Sequence, residues 1–160
     1  MTPEITLDQL CWLATAAYAI HVLEEFAFNW RGWARNVLHL HAEWDNFYIT
    51  NALVMVMGIV AAETALRLPI VALAFPALML INATFFHVMP FLLKKGRFPP
   101  DFVTALLLFY PIGIAGYQIA SRSGVLSAAN LWGSFLIGAL LTAMPIVFLK
   151  LKDRPYFLQD

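Results

Sequence analysis

Five long apolar stretches dominate the sequence and decide what this chain can fold into. A helix that crosses the hydrocarbon core of a bilayer needs about 20 mainly apolar residues. The stretches that meet this length cover approximately residues 7–28, 47–66, 69–93, 102–120 and 131–149. Because lipid offers no hydrogen-bond partner to an exposed backbone, each stretch is expected to form a helix. The sequence therefore predicts an all-α, polytopic transmembrane bundle of five spans, forming a single domain over residues 1–160.

The composition agrees with an integral membrane protein. Apolar residues make up 61% of the chain and charged residues only 12%, whereas about a quarter of a soluble domain is charged. The formal net charge is zero, which gives no reason to expect a nucleic-acid partner. Cys11 is the only cysteine, so an internal disulfide and a thiolate metal cage are both excluded. The expected partners are membrane lipid and an apolar small-molecule substrate, and a homo-oligomer stays open.

Lysine and arginine are distributed unevenly between the two sides of a five-span bundle. Eight of them fall on one side, and two fall on the other. The eight are Arg31, Arg35, Lys94, Lys95, Arg97, Lys150, Lys152 and Arg154. Positive charge in short loops marks the cytoplasmic face. We therefore predict that the amino terminus lies outside and the carboxyl terminus in the cytoplasm.

The segment between the first two spans is too polar to cross a membrane, yet it is rich in tryptophan. Trp30, Trp33 and Trp44 lie in it, and tryptophan prefers the headgroup level, so we predict an interfacial helix on the cytoplasmic face. His39, His41 and Glu43 have a spacing that resembles a metal site, but alternate residues share a face only on a strand. We expect these three residues to form a solvated surface, with lining of a site's mouth as the alternative.

Polar side chains inside the spans gather at one depth. Counted at about 1.5 Å of rise per residue, most of them lie in the cytoplasmic half of their spans, on several different helices. They are His21, Glu24, Glu25, Asn51, Asn82, His87, Thr104 and, near the middle of the fourth span, Tyr110. An ionised carboxylate facing lipid would cost several kcal/mol, so pairing, protonation or a metal ion is expected here.

The spacing of the first three residues favours a metal ion. His21 lies over both Glu24 and Glu25, because residues three and four apart share a helix face. Such a helix can bind one ion through both kinds of side chain, and His87 could add a ligand while a position stays open for water or substrate. We predict that these four residues are both metal ligands and catalytic groups, with zinc, iron or manganese as the ion. Side chains expected to orient them or to bind substrate are Asn51, Asn82 and Tyr110.

The predicted function is that of an integral membrane enzyme acting on a lipid-like or terpenoid-like substrate, and four other interpretations stay open. The same residues could act without a metal as the acid and base of an isomerase or cyclase, because burial raises the pKa of a carboxyl group. They could form a hydrogen-bond network that only fixes helix packing. They could also serve an ion or proton transporter, or a scaffold for other membrane proteins.

The chain resembles the HXXEE-domain proteins, which are small bacterial integral membrane proteins. The motif is present as His21-Val22-Leu23-Glu24-Glu25, and the likeness extends to an asparagine and a histidine at Asn82 and His87. It continues through RFPPDFVTALLLFYPIGIAGY, where the family tends to have Pro-Gly and this chain has Pro99-Pro100-Asp101. The resemblance implies a location in the bacterial inner (plasma) membrane and indicates which residues matter. It leaves the reaction open, because the family's biochemical role is uncharacterised.

Overall fold

The structure is a computed structural model that describes residues 5–94 and 98–152. Helices and their connections make up this part of the chain, and no β-strand occurs within it, which confirms the all-α prediction. The helices are α1 (Leu7–Ala27), α2 (Trp30–Trp33), α3 (Trp44–Thr64), α4 (Pro69–Leu93), α5 (Phe102–Arg122) and α6 (Ala128–Lys152).

Four of these helices, α3 to α6, are long enough and apolar enough to cross a membrane. The chain is therefore a protein with membrane-spanning helices. Helix α1 has 21 residues, but its polar and ionisable side chains lower its hydropathy, so its crossing stays a prediction. The orientation also stays a prediction, and three of its basic residues, Lys95, Arg97 and Arg154, lie outside the described residues.

Helix α4 occupies the centre of the bundle and packs against α1, α3, α5 and α6. Its first half, Pro69–Asn82, is apolar on every side up to Asn82 at its end, as expected of a helix that is buried all round. Leu73, Phe75 and Met79 are almost fully buried there. The outer helices instead expose large apolar side chains, among them Leu107 and Trp132, as is usual for surfaces that face lipid.

Two π-helical turns interrupt the long helices just before proline residues. Ala83–Val88 precedes Pro90 in α4, and Ala105–Phe109 precedes Pro111 in α5. Proline has no N–H, and its ring would clash with the carbonyl four residues earlier, so a wider turn relieves both problems. The π turn at Ala83–Val88 changes which side chains of α4 share a face. Residues five apart would point about 140° away from each other on a regular α-helix, whereas a π turn brings them close to one face.

The connection between α1 and α3 is only partly helical. Helix α2 continues into a π turn at Ala34–Leu38, and residues 39–43 are not helical. Asn29 and His39 adopt left-handed backbone conformations, with φ of 58° and 57°, and these conformations end the helical path on either side. The expectation that the stretch from His39 to Glu43 is helical is therefore wrong. His39 and His41 are exposed, as expected of a solvated surface.

Candidate metal centre

His21 lies on the buried face of α1, and its two ring nitrogens have different surroundings. Nδ1 is 2.7 Å from Oγ1 of Thr104 on α5. The Thr104 hydroxyl donates its single hydrogen to Oε2 of Glu24, so it accepts a hydrogen bond from Nδ1–H of His21. This arrangement fixes the tautomer of the ring. Nε2 therefore carries a lone pair, and it has no hydrogen-bond partner among the described residues.

Glu24 supplies the amino-terminal cap of α5, a role that Asp101 would ordinarily have. Asp101 stands at the N-cap position but makes no side-chain cap hydrogen bond, although aspartate is one of the preferred caps. The backbone N–H of Thr104 donates to Oε2 of Glu24 at 3.0 Å instead. The carboxylate of Asp101 is consequently free to turn into the bundle, where it is fully buried.

His87 lies in the first π turn of α4 and is held in a similar way. Its Nε2 is 2.7 Å from Oδ1 of Asn82, five residues earlier, a pairing that the π turn makes accessible. With Nε2–H donated to the asparagine, Nδ1 carries a lone pair in the neutral ring. Nδ1 is 2.8 Å from Oδ1 of Asp101, and the two groups form an ion pair only when the ring is protonated.

His21 on α1, His87 on α4 and Asp101 in the turn just before α5 converge on one point. Each offers a ligand atom, and these three atoms lie within 4.8 Å of one another. The imidazole rings meet edge to face with centroids 4.9 Å apart, and Nε2 of His21 is 4.0 Å from Oδ2 of Asp101. Four buried atoms of this cluster make no well-aligned hydrogen bond within the described ranges, although Asp101 also lies against His87 and Glu25. They are Nε2 of His21, Nδ1 of His87, and Oδ1 and Oδ2 of Asp101.

Unpartnered lone pairs in such a cluster are costly unless a proton or a metal ion lies among them. A buried polar group that makes no hydrogen bond costs about 1–3 kcal/mol, and facing lone pairs also repel each other. Burial raises the pKa of the Asp101 carboxyl, whereas a positive charge on the neighbouring His87 and then on His21 lowers it, and the net pKa lies below the ordinary value. The ionised carboxylate is the form that binds a metal ion. The donor set fits a divalent ion.

Glu25 lies between the cluster and a neighbouring cavity. Its Oε1 is 3.8 Å from Nε2 of His21, and its carboxyl group contacts that of Asp101. Glu25 also lines a cavity of about 100 Å³, which we call the polar pocket. Asn82 lines the same pocket, so each of these two residues connects the pocket to the cluster.

The remaining predicted residues fall into two groups. Asn51 lines the polar pocket and accepts a hydrogen bond of 2.6 Å from the hydroxyl of Tyr18. Tyr110 is not among the described lining residues, and its hydroxyl lies 2.9 Å from that of Thr84. Asn51 and Asn82 thus both line the pocket, whereas Tyr110 contacts the middle of α4.

Comparison with known proteins identifies a family and no characterised relative. A family model described as a protein of unknown function with HXXEE motif matches residues 12–116, more than half of the chain. The chain belongs to the HXXEE family. No curated protein and no solved structure matches it. The region matched by the HXXEE model contains His21, Glu25, His87 and Asp101, but it ends before α6.

The HXXEE motif therefore has three residues in three different surroundings. His21 offers a lone pair to the cluster, Glu24 caps α5 and holds Thr104, and Glu25 lies beside Asp101. The sequence predicts one site from His21, Glu24, Glu25 and His87, and the carboxylate of Glu24 is instead engaged by Thr104. Asp101 is not foreseen. Its only signal is an acidic residue that directly follows two prolines and precedes an apolar span.

Proposed function

We propose that this HXXEE protein is a metal-dependent membrane enzyme whose divalent ion is bound by Nε2 of His21, Nδ1 of His87 and the carboxylate of Asp101. The observation that carries the proposal is that one buried ligand atom from each of these three residues lies within 4.8 Å of the other two. The location in a bacterial plasma membrane, with the site in the cytoplasmic half, is part of the proposal.

The donor set supports zinc, iron or manganese. Two imidazoles and one carboxylate leave one or more coordination positions open, as catalytic zinc sites and non-haem iron sites do. Each histidine also donates its other N–H, His21 to Thr104 and His87 to Asn82. Such hydrogen bonds orient metal-binding histidines and typically change the metal affinity 10–100-fold when they are removed.

Glu25 is the group best placed for proton transfer. Because it lies beside the cluster and also lines the polar pocket, it can accept a proton from water or substrate next to the ion and return it to a product. The bound ion would polarise an oxygen atom or activate a water molecule. The apolar walls of the pocket support a lipid-like or terpenoid-like substrate that enters from the membrane.

Metal analysis of purified protein tests the proposal. Protein prepared in detergent without chelator, and again after separate supplementation with zinc, iron or manganese, should contain close to one ion per chain. His87→Gln and Asp101→Asn should each lose most of it. His39→Gln is the matched control, because His39 is exposed, and it should retain the ion. Wild-type protein without metal under every condition would contradict the proposal.

A metal-free acid/base enzyme is the second candidate, and one observation favours it. Nδ1 of His87 and Oδ1 of Asp101 are 2.8 Å apart, a distance at which a proton could be shared between them. In that case the imidazolium of His87 would replace the metal ion, and Glu25 would still handle protons at the polar pocket. Wild-type protein that turns over an apolar substrate after complete removal of metal would favour this candidate.

A further inference from the structure

The polar pocket lies among the helices α1, α3, α4 and α6, and the connection after α1 also lines it. Helices α3, α4 and α6 each contribute residues spaced three or four apart, so one face of each helix is turned to the pocket. The side chains that make its apolar walls are Val54, Leu78, Phe86, Pro145, Ile146 and Leu149. The pocket is therefore a narrow space that follows the helices.

The volume of the polar pocket limits how much of a molecule it can enclose. The pocket measures about 100 Å³, whereas an engineered cavity of about 150 Å³ in another protein holds one benzene molecule. A head group and the first few carbons of a chain would fill such a volume. A fused-ring molecule or a whole lipid would not fit, so the remainder of a bound amphiphile must lie outside the pocket.

The gap between α3 and α6 offers this remainder a way out. Helix α3 packs against α1 and α4, and α6 packs closely against α4, but α3 and α6 contact each other at few points within the described residues. Thr50 on α3 and Ile146 on α6 line the pocket and are half-buried. Their neighbours Ile49 and Val147 are exposed. Because both helices are apolar enough to cross a membrane, the gap between them opens toward lipid.

The other end of the pocket meets the candidate metal centre. Glu25 and Asn82 line the pocket, and each contacts a histidine of the cluster. Oε1 of Glu25 is 3.8 Å from Nε2 of His21, and Oδ1 of Asn82 is 2.7 Å from Nε2 of His87. A divalent ion held by three protein ligands keeps a coordination position open, and an oxygen atom of a head group in the pocket can occupy it.

We propose that the substrate of this site is a linear amphiphile that reaches the polar pocket through the gap between α3 and α6. An oxygen atom of its head binds the proposed ion, its first few carbons fill the pocket, and the rest of its chain stays in the lipid. This inference rests on the proposed function, because it names the substrate class of the same site. It excludes fused-ring terpenoids and any substrate that has to be enclosed entirely.

Quenching of tryptophan fluorescence by brominated amphiphiles shows which part of the chain lies in the pocket. The probes are dodecanol and dodecanoate, each brominated either next to the head or at the terminal carbon. They are titrated as a mole fraction of detergent micelles that hold the wild-type protein. Exposed tryptophans such as Trp12 and Trp132 should give quenching that does not saturate. Because Trp30 lines the pocket, saturable quenching that disappears in Trp30→Phe reports occupation of the pocket.

Bromine next to the head should quench Trp30 saturably for at least one of the two heads. Bromine at the terminal carbon of the same amphiphile should lose the saturable component, because this end of the chain stays in lipid. Equal saturable quenching by both positions would show that the chain is enclosed, and it would overturn the inference. So would the absence of saturable quenching by all four probes.

Competition by molecules without bromine tests the exclusion of fused rings. The unbrominated form of the bound probe should relieve the saturable quenching of Trp30. Cholesterol at the same mole fraction should leave it unchanged, because its ring system exceeds the volume of the pocket. Relief by cholesterol would contradict the linear shape of the substrate.

Bulky side chains at the gap test the route. Thr50→Phe and Ile146→Phe each add volume to a lining residue, and each should weaken the apparent affinity of the head-brominated probe on the order of tenfold. Ile49→Phe and Val147→Phe are the matched controls on the exposed faces of the same helices, and they should stay within about twofold of wild type. Wild-type affinity in both Thr50→Phe and Ile146→Phe would overturn the assignment of the route.

Metal content measured on the same samples separates the two proposals. Protein that holds an ion but is quenched equally by both bromine positions would overturn only the inference about the substrate. Protein that holds no ion and still shows saturable quenching by the head-side bromine, weakened in Thr50→Phe, would overturn the proposed metal centre and support the linear amphiphile and its route.

Discussion

The hydroxyl of Thr104 accepts a hydrogen bond from Nδ1 of His21, with the two atoms 2.7 Å apart. The same hydroxyl donates to Glu24, so a carboxylate on α1 orients an imidazole on α1 through a side chain of α5. This contact explains why the glutamate three residues after His21 faces α5 while the next glutamate lies beside Asp101. The two carboxylates of the HXXEE motif are therefore expected to have different functions.

Removing the hydroxyl of Thr104 should weaken metal binding without removing a ligand. Thr104→Val has nearly the same shape but cannot hold Nδ1 of His21, so the dissociation constant for metal should rise about 10–100-fold. Thr104→Ser keeps the hydroxyl and should remain within about threefold of wild type, since less than 1 kcal/mol is then lost. Competition with a chromophoric chelator measures both. Equal affinities for the valine and serine variants would show that the contact does not orient His21.

The two neighbouring carboxylates Asp101 and Glu25 should respond differently to neutralisation. Asp101→Asn removes a charged ligand and should reduce the metal content to a small fraction of one ion per chain. Glu25→Gln leaves the ligand set His21, His87 and Asp101 intact and should retain the ion while losing catalysis. Elemental analysis of both variants decides this, with Glu63→Gln as a remote, exposed control. Loss of metal in Glu25→Gln would instead make Glu25 a required ligand.

Metal removal should destabilise the wild-type protein. An ion present at about 100 times its dissociation constant stabilises the folded state by about 2.7 kcal/mol, and its loss leaves the ligand atoms of His21, His87 and Asp101 without a cation. Chelator should therefore lower the thermal unfolding midpoint of wild type, measured in detergent by intrinsic fluorescence. Asp101→Asn should show no such change. An equal response of both proteins would locate the ion elsewhere.

The connection after α1 should loosen when Glu43 is neutralised. Its carboxylate binds both Arg31 and Arg35, while Trp30, Leu40 and Ala42 of the same connection line the polar pocket. These ion pairs are partly exposed, so Glu43→Gln should raise amide hydrogen exchange in this segment only about two- to fivefold. Exchange in α4 should not change. An unaltered exchange rate after Glu43→Gln would show that the ion pairs do not hold the segment.

Sequence reasoning identifies His21, Glu25 and His87 because ionisable side chains in apolar helices are costly and therefore conspicuous. Counting the rise per residue along each span also places them at one depth, from which we predict that these side chains lie close together. It cannot assign separate functions to Glu24 and Glu25, because the difference depends on a contact with Thr104 on another helix. The long apolar stretches likewise predict the helices, while the span formed by α1 stays a prediction.

Asp101 and the π turns show what local patterns do not reveal. Asp101 lies in a connection, where neither depth nor helix face can be counted, and its burial depends on Glu24 taking over the cap of α5. The pairing of Asn82 with His87 depends on the π turn before Pro90. The burial of Asp101 depends on contacts between helices, and the Asn82–His87 pairing depends on a local widening of α4 that regular helical periodicity does not predict.

The most direct test of the metal centre is anomalous diffraction from crystals of the wild-type protein, recorded at the absorption edge of the metal found by elemental analysis. We predict one strong anomalous peak, with Nε2 of His21, Nδ1 of His87 and an oxygen of Asp101 each about 2.0–2.2 Å from it. Density without an anomalous peak at this point, with the three side chains hydrogen-bonded to each other or to water, would contradict the metal centre.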